Sequence, residues 1–476
     1  MTTPTMPAPS SGTNVNRKVL ADGQMKIRVA VIGAGISGLA AANGLLQDPS
    51  LRYDVQLYER DTIAYDLERG GYQLRIGLPG LNALKTVSNE DTWNGLQKMW
   101  GGDAAKAPAL VNPDTFDMCL NLSSVKLYPQ GRPIPRTGLR HVLLQRPLSE
   151  ERIHFGHDFD RYKLGAENAG GVTIHFHNQD SVHADILIAA DGSGSKINRQ
   201  AGLNNKIKLK GFTLIQARGT ITAKIRDNLP RSLLDCGSVL FLGGDNISGF
   251  ASVYSHPELL GRERHQPQEE DDDHTLFWSV MLPASRGQAI LKKCGDDKNM
   301  ILQQLIDYAR HGLKLGDSLP TIFSSASSNL RTGLLTSSFK PTTDWRAGKA
   351  ENSGVVLIGD AIHPMTPGRG MGANQALNDA GNLVDSLLGA RFQGSVPTDD
   401  ERSSLVQGFD KEMYERAFDM VKKSEQMTAL DLSNSWGRAK IMVVRAMLTF
   451  IGWIVSTIEA IGLKTPQRLD SENRKI

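Results

Sequence analysis

Two glycine-rich loops, far apart in the chain, hold the residue types that could do chemistry. The first is GAGISG, with Gly33, Gly35 and Gly38 in GxGxxG spacing. In such a loop the first glycine permits a tight turn, the second lets the backbone approach a pyrophosphate, and the third allows close helix–strand packing. The phosphate then faces the positive end of the following helix. Glu59 closes the next apolar run, YDVQLYE. A carboxylate there can accept hydrogen bonds from both hydroxyls of an adenosine ribose and repels a 2′-phosphate, so the site suits FAD or NAD and not NADP.

The second loop is GDAIHPMTPGRGMGANQAL. Asp360 can hydrogen-bond ribityl hydroxyls, and the glycines and prolines that follow shape a backbone able to lie against a flat ring. Gly372 and Ala373 open a helix whose free N–H groups and dipole suit the negative charge that develops on a reduced flavin. One long cofactor, FAD, explains both loops: its adenosine half at the first and its redox half at the second.

The elements that must position these loops are legible. Lys26–Ile32 reads as a buried strand, Ile36–Leu46 as a helix and Tyr53–Glu59 as the next strand, a βαβ opening that implies a parallel sheet. Ala184–Ala190 and Gly354–Ile358 read as further strands of it. Between them, TLIQARGTITAKI, SVLFLGG, GFASVYS and TLFWSVMLP read as antiparallel strands of a second region. The acidic run Gln266–His274 reads as a solvated loop.

With 476 residues, 40% hydrophobic and 22% charged, the chain is long enough for two domains and ordinary for a globular protein. A net charge of +3 with no dense basic run gives no case for nucleic acid. Cys119, Cys236 and Cys294 are widely spaced, which argues against a disulfide framework or zinc site and for a reducing compartment. Residues 1–24 read as a disordered leader. The segment 441–463 is strongly apolar, and three readings stand open for it: a helix buried on the body, an interfacial anchor and a tilted span. The expected location is the cytoplasm, with this segment as the candidate membrane contact.

The set GAGISGLAAA…YER, ILIAADGSGS and GDAIHPMTPGRGMGANQALNDA resembles the flavin monooxygenases of the para-hydroxybenzoate hydroxylase type, and more closely their fungal secondary-metabolism members. The resemblance covers about residues 26–390. It implies an α/β fold: a Rossmann-like FAD-binding domain (residues 25–206 and 337–395), an inserted α+β substrate domain with a mostly antiparallel sheet (207–336), and a C-terminal helical region (396–476). It implies that Gly33, Gly35, Gly38 and Glu59 hold the ADP part and that Gly71 is flavin-proximal. Arg136, Asp191, Asp360 and Ala373 match FAD contacts of the family, Asp191 with a link to NAD(P)H as well. The arginine that trails the Asp191-Gly192 motif stands one residue further out, at Arg199. Arg218 in QARGT matches an arginine that points toward substrate or flavin, against the alternative of an exposed strand arginine.

The implied activity is an FAD-dependent monooxygenase that uses NAD(P)H, as a transient co-substrate, and O2 to hydroxylate or epoxidise a lipophilic polyketide, polyene or aromatic substrate. A flavin halogenase is disfavoured, because FWSVMLP does not match the halogenase signature WxWxIP. A flavin-binding protein without turnover is the alternative from another class. His363 reads as a packed or hydrogen-bonded loop residue in preference to a proton shuttle, and the remaining histidines do not form a metal set. Phe277 and Trp278 read as either pocket lining or core.

Overall fold

The computed structural model describes residues 18–63, 73–100, 108–121, 131–145, 148, 150–165, 170–242, 247–255, 274–326, 329–392, 396–428, 439 and 443. Its centre is a five-stranded parallel sheet in the order Val355–Leu357, Ile186–Ala189, Ile27–Ile32, Tyr53–Glu59, Ile153–Phe155. The first three of these are apolar runs, buried at almost every position, as expected of parallel strands covered on both faces. The βαβ opening is present, with the helix at Ile36–Leu45.

Three helices stack on one another beside this sheet through small residues. A Cβ on Gly44 would lie 2.7 Å from Val384, and one on Gly381 would lie 3.0 Å from the Ala83 side chain. Ile36–Leu45, Leu78–Val87 and Gly372–Gly389 therefore approach more closely than larger side chains would allow.

A seven-stranded sheet forms the second layer, ordered Arg331–Ser338, Lys206–Ile221, His274–Pro283, Ser248–Ser255, Ser238–Leu242, Ala109–Val111, Met118–Asn121. The four antiparallel strands read from the sequence are all in it. It also recruits Ala109–Val111 and Met118–Asn121, which lie outside residues 207–336. Strands of three and four residues are too short to carry a readable period.

There are two separate apolar cores. One surrounds the parallel sheet. The other lies between the seven-stranded sheet and the helices Ala284–Cys294, Lys298–Asp307 and Ser318–Ser325. The C-terminal helix Asp399–Thr428 joins the first core through Val406, Phe409, Met413, Ala417 and Phe418. Among the described residues no helix is long and apolar enough to cross a membrane. The segment 441–463 lies outside the described residues apart from Val443, as do the leader up to residue 17 and most of the acidic loop.

A buried ion pair docks the C-terminal helix. Arg346 donates from Nε and Nη2 to Asp410 Oδ2 at 3.1 and 2.9 Å, and from Nη1 to the carbonyls of Asn352 and Val355. Its guanidinium lies 3.8 Å from the centre of the Trp345 ring, whose Nε1 donates to the Tyr414 hydroxyl. Removing one partner of such a pair leaves the other charge buried and uncompensated. Arg346→Met should therefore cost about 3–5 kcal/mol of stability, read by urea denaturation, and Asp410→Asn should cost less because a neutral amide still accepts.

Candidate functional site

At the first loop the glycines are required by the backbone itself. Gly33 has φ +106°, and a Cβ there would lie 2.4 Å from the carbonyl oxygen of Ala190. A Cβ on Gly38 would lie 2.1 Å from the Gly33 carbonyl oxygen. Gly35 is different: its Cβ position meets only Ala190 O at 3.9 Å, so this part of the loop is open to an approaching group. No side chain caps the helix that begins after Gly35, which leaves its first-turn N–H groups available to an anion.

Glu59 is buried at the end of its strand. Its Oε2 accepts from the Ala34 N–H at 2.7 Å and its Oε1 from the Asp61 N–H at 3.0 Å. A carboxylate has about four acceptor directions, so it can fix the loop and still receive further donors. Arg140 donates from Nε to the Ala34 carbonyl at 2.9 Å. Sequence reasoning passed over Arg140, although it stands one helical turn after Arg136 in the helix Arg136–Leu144, and spacing of four places the two on one face.

The second loop meets the first directly. The Ile358 N–H bonds to Ala189 O at 3.0 Å, and the Ala190 N–H to Ile32 O at 2.9 Å, so the three strand ends lie side by side. Gly359, at φ +58°, sits against both loop helices: its Cβ position is 3.0 Å from Ser37 Oγ and 3.1 Å from Ala376 Cβ. Asp360 follows, open to solvent between the buried Gly359 and Ala361. Desolvation by the surrounding chain lifts its carboxyl above the usual range, opposed by His363, Lys206 and Arg136. Arg136 is thereby placed within electrostatic reach of Asp360.

Asp191 ends the neighbouring strand. Its Oδ2 accepts from the Lys196 N–H at 3.0 Å, while Oδ1 is buried with no protein partner. Burial pushes this carboxyl up, against the Ser195 hydroxyl and Lys206. Gly192 beside it has φ +77° with nothing near its Cβ position. Arg199 turns outward and donates to Gly194 O within its own loop.

Buried amides tie these segments together. Asn198 donates to Asn205 Oδ1 and to the Ala361 carbonyl, and Asn205 donates to the carbonyls of Ile362 and Phe339. Asn374 accepts from the Gly77 N–H at 2.7 Å and donates to Arg75 O at 2.9 Å, which fastens the strand Gln73–Gly77 to the helix that opens at Gly372 and Ala373. No side chain caps that helix either. Gly71, two residues before the strand, lies outside the described residues. Asn198 and Asn205 carried no periodic or motif signal, and Asn374, although inside the second glycine-rich motif, gave no sign of the distant backbone it would fasten.

His363 is buried and bonds through Nε2 to Asp379 at 2.5 Å. In the seven-stranded sheet, Trp278 belongs to the core and donates to Ala326 O. Phe277 and Arg218 are register partners on the opposite face, with Phe250 at 6.2 Å from the Phe277 ring. Arg218 is half-buried and is carried by this sheet, not by either loop.

Two uncapped helix ends, an open glycine backbone, an unpartnered buried Asp191 oxygen and Asp360 share one edge of one sheet. That donor and acceptor set fits a dinucleotide flavin. The fold, a parallel sheet joined to a mostly antiparallel one, is that of solved FAD-containing monooxygenases.

Comparison with known proteins agrees. Residues 329–399 match the FAD binding domain family model. The monooxygenase cfoF of Aspergillus candidus is 26% identical over 84% of this chain and 90% of its own length. The dual O-methyltransferase/FAD-dependent monooxygenase elcB of Phaeosphaeria nodorum is 23% identical over 83% of this chain, which spans only 45% of that relative. Klebsiella pneumoniae HpxO, solved with FAD and uric acid, superposes with a TM-score of 0.64 at 18% identity, covering 90% of this chain and 96% of that one. The chain is thus a relative of the FAD-dependent monooxygenases, fungal ones among them.

Lys206 joins the motifs electrostatically. Its Nζ donates to the carbonyls of Gly192 and Ser193 at 3.0 and 3.1 Å. Burial pulls the ammonium down to about 8, while Asp191 and Asp360 resist. An unfolded lysine titrates near ~10.4. Between these values the unfolded chain binds a proton that the native chain lacks, so native stability gains as pH rises through that window. Lys206→Met should lose this gain: urea curves at about pH 8 and about pH 10 should differ less between the two pH values for the variant than for the wild type.

Proposed function

We propose that this protein is an FAD-dependent NAD(P)H monooxygenase acting on a small lipophilic substrate, an aromatic or polyketide-like compound of secondary metabolism. The observation that best supports the reading is the close approach of Gly359 to Ser37, whose Oγ is 3.0 Å from a Cβ position on the glycine, because two loops that meet at one sheet edge can serve one extended cofactor. In this reading Gly33, Gly35, Gly38 and Glu59 hold the ADP portion, aided by Arg140. Gly71, Arg136, Asp191 and Asp360 contact the flavin half, and the N–H groups at Gly372 and Ala373 face the side of the ring that gains charge on reduction.

Bound FAD would supply the redox chemistry with NAD(P)H and O2: one oxygen atom enters the substrate and the other leaves as water. The chain's own residues bind, orient and exclude water. Asp360, with a lifted carboxyl, suits hydroxyl partners. The helix N-terminus at Gly372 offers fixed dipoles that need no reorganisation during reaction. Arg218 lies on the sheet face that also presents Gln216, Phe250 and Phe277, and on this reading it pairs with an oxygen of the substrate. NAD(P)H visits transiently, since the sequence has no second GxGxxG loop. The buried thiols of Cys236 and Cys294 suit a reducing cytoplasm.

Purified protein should take up FAD and turn yellow, and a substrate should accelerate NAD(P)H oxidation with one O2 consumed per turnover. Arg218→Ala should slow the substrate-stimulated rate about 10²-fold, the order lost with one charge-stabilising or proton-transferring group, at unchanged flavin content. A colourless protein that takes up no FAD would sink the assignment. FAD uptake without any NAD(P)H oxidation would favour a binding protein.

A further inference from the structure

The C-terminal helix Asp399–Thr428 is already docked by Arg346 and Asp410. It nevertheless sends a second charge inward. Arg416 donates from Nη2 to Asp379 Oδ1 at 2.9 Å and from Nη1 to Gln375 Oε1 at 2.7 Å, both on the helix Gly372–Gly389. Its outer side pairs with the half-exposed Glu412 at 2.7 Å.

Asp379 is fully buried. Its other oxygen accepts from the Gly359 N–H at 2.7 Å and meets His363 Nε2 at 2.5 Å. One carboxylate therefore joins the backbone of the turn before Asp360, a ring from the same loop and a guanidinium from a different helix. Burial alone would raise the Asp379 carboxyl, but His363 and Arg416 outweigh it and hold it below the usual range. Burial alone would lower His363, but Asp379, with Asp360 further off, holds the ring above its usual value. The cluster thus sets a guanidinium and an imidazole on one carboxylate next to the Gly359 turn.

We propose that Arg416 is a positioning residue for the cofactor: through Asp379 it fixes the Gly359 turn and the His363 ring, and it makes the C-terminal helix part of the redox site. The proposal rests on FAD lying over the Asp360 turn. A residue that merely braced the helix would duplicate Arg346, which has its own carboxylate. Arg416 shares its carboxylate with the turn, so its charge adds to the potential felt by whatever binds there. The positive charge of Arg416 favours the form of the flavin that gains negative charge on reduction, and the Glu412 carboxylate opposes it.

The test compares holoenzyme midpoint potentials and FAD dissociation constants for wild type, Arg416→Gln and Glu412→Gln. Arg416→Gln should shift the midpoint of bound FAD downward and weaken FAD on the order of tenfold, the worth of a lost charge-assisted hydrogen bond. Glu412→Gln removes the opposing charge and should shift the midpoint upward. Opposite shifts support the proposal, since a brace has no reason to respond with opposite sign. Midpoints equal to wild type, or moved in the same direction, overturn it. Should Arg416→Gln fail to fold, Glu412→Gln decides alone: an upward shift supports, none overturns. A wild type that binds no FAD sinks the underlying reading and this one with it, whereas FAD bound at unchanged potentials in both variants sinks only the role of Arg416.

Discussion

The carbonyl oxygen of Ala190 stands 2.4 Å from where Gly33 would carry a Cβ, and Ser37 Oγ stands 3.0 Å from the same position on Gly359. Both glycines turn with positive φ at the ends of parallel strands that share hydrogen bonds. A parallel sheet delivers all its strand ends to one edge. Segments more than 300 residues apart in the chain must therefore emerge together there, and they can do so only if no side chain fills the space between them. Two features of the site follow from that crowding: the loop helices start within reach of one another, and Asp191 and Asp360 follow neighbouring strands at the same edge.

Crowding acidic groups has a cost, and the surrounding side chains offset it. Asp191 and Asp360 are both lifted by burial. Lys206 and Arg136 lean on them electrostatically, without direct ion pairs among the described contacts. Asp379 is treated otherwise, fully enclosed and held by Arg416, the His363 ring and the Gly359 N–H. The difference sorts the acids by task. A carboxylate left without a full complement of partners can still receive donors from a ligand, whereas one that is saturated acts as framework.

The sequence made the strand and helix positions of the parallel sheet readable because those segments are apolar runs bounded by glycines, where local pattern and global fold agree. It also marked Gly33, Gly35 and Gly38 by their spacing and Asp360 by its place at a strand end, while Asp191 was marked by the resemblance to a known family. It did not mark Asn198, Asn205, Asn374 or Arg416. Their role depends on which distant backbone groups lie within 3 Å or so, and nothing local to a lone Asn or Arg reports that. The short strand Ala109–Val111 was invisible for a related reason, since its partner in the second sheet lies more than 100 residues away, and Met118–Asn121 joins that sheet by pairing with it. His363 illustrates the middle case, readable as an enclosed residue but not as a partner of Asp379.

The strand Lys206–Ile221 runs unbroken for 16 residues. Its first residue grips Gly192 and Ser193, and it carries Arg218 near its far end. A register shift between Leu209 and Leu214 is the single irregularity in its pairing with Arg331–Ser338. The strand therefore acts as a stiff ruler between the cofactor edge and the floor of the second sheet. The register shift falls between those two points, so the distance from the Lys206 grip to Arg218 is set by the length of strand that follows it, and with that distance the reach allowed to a substrate on that face.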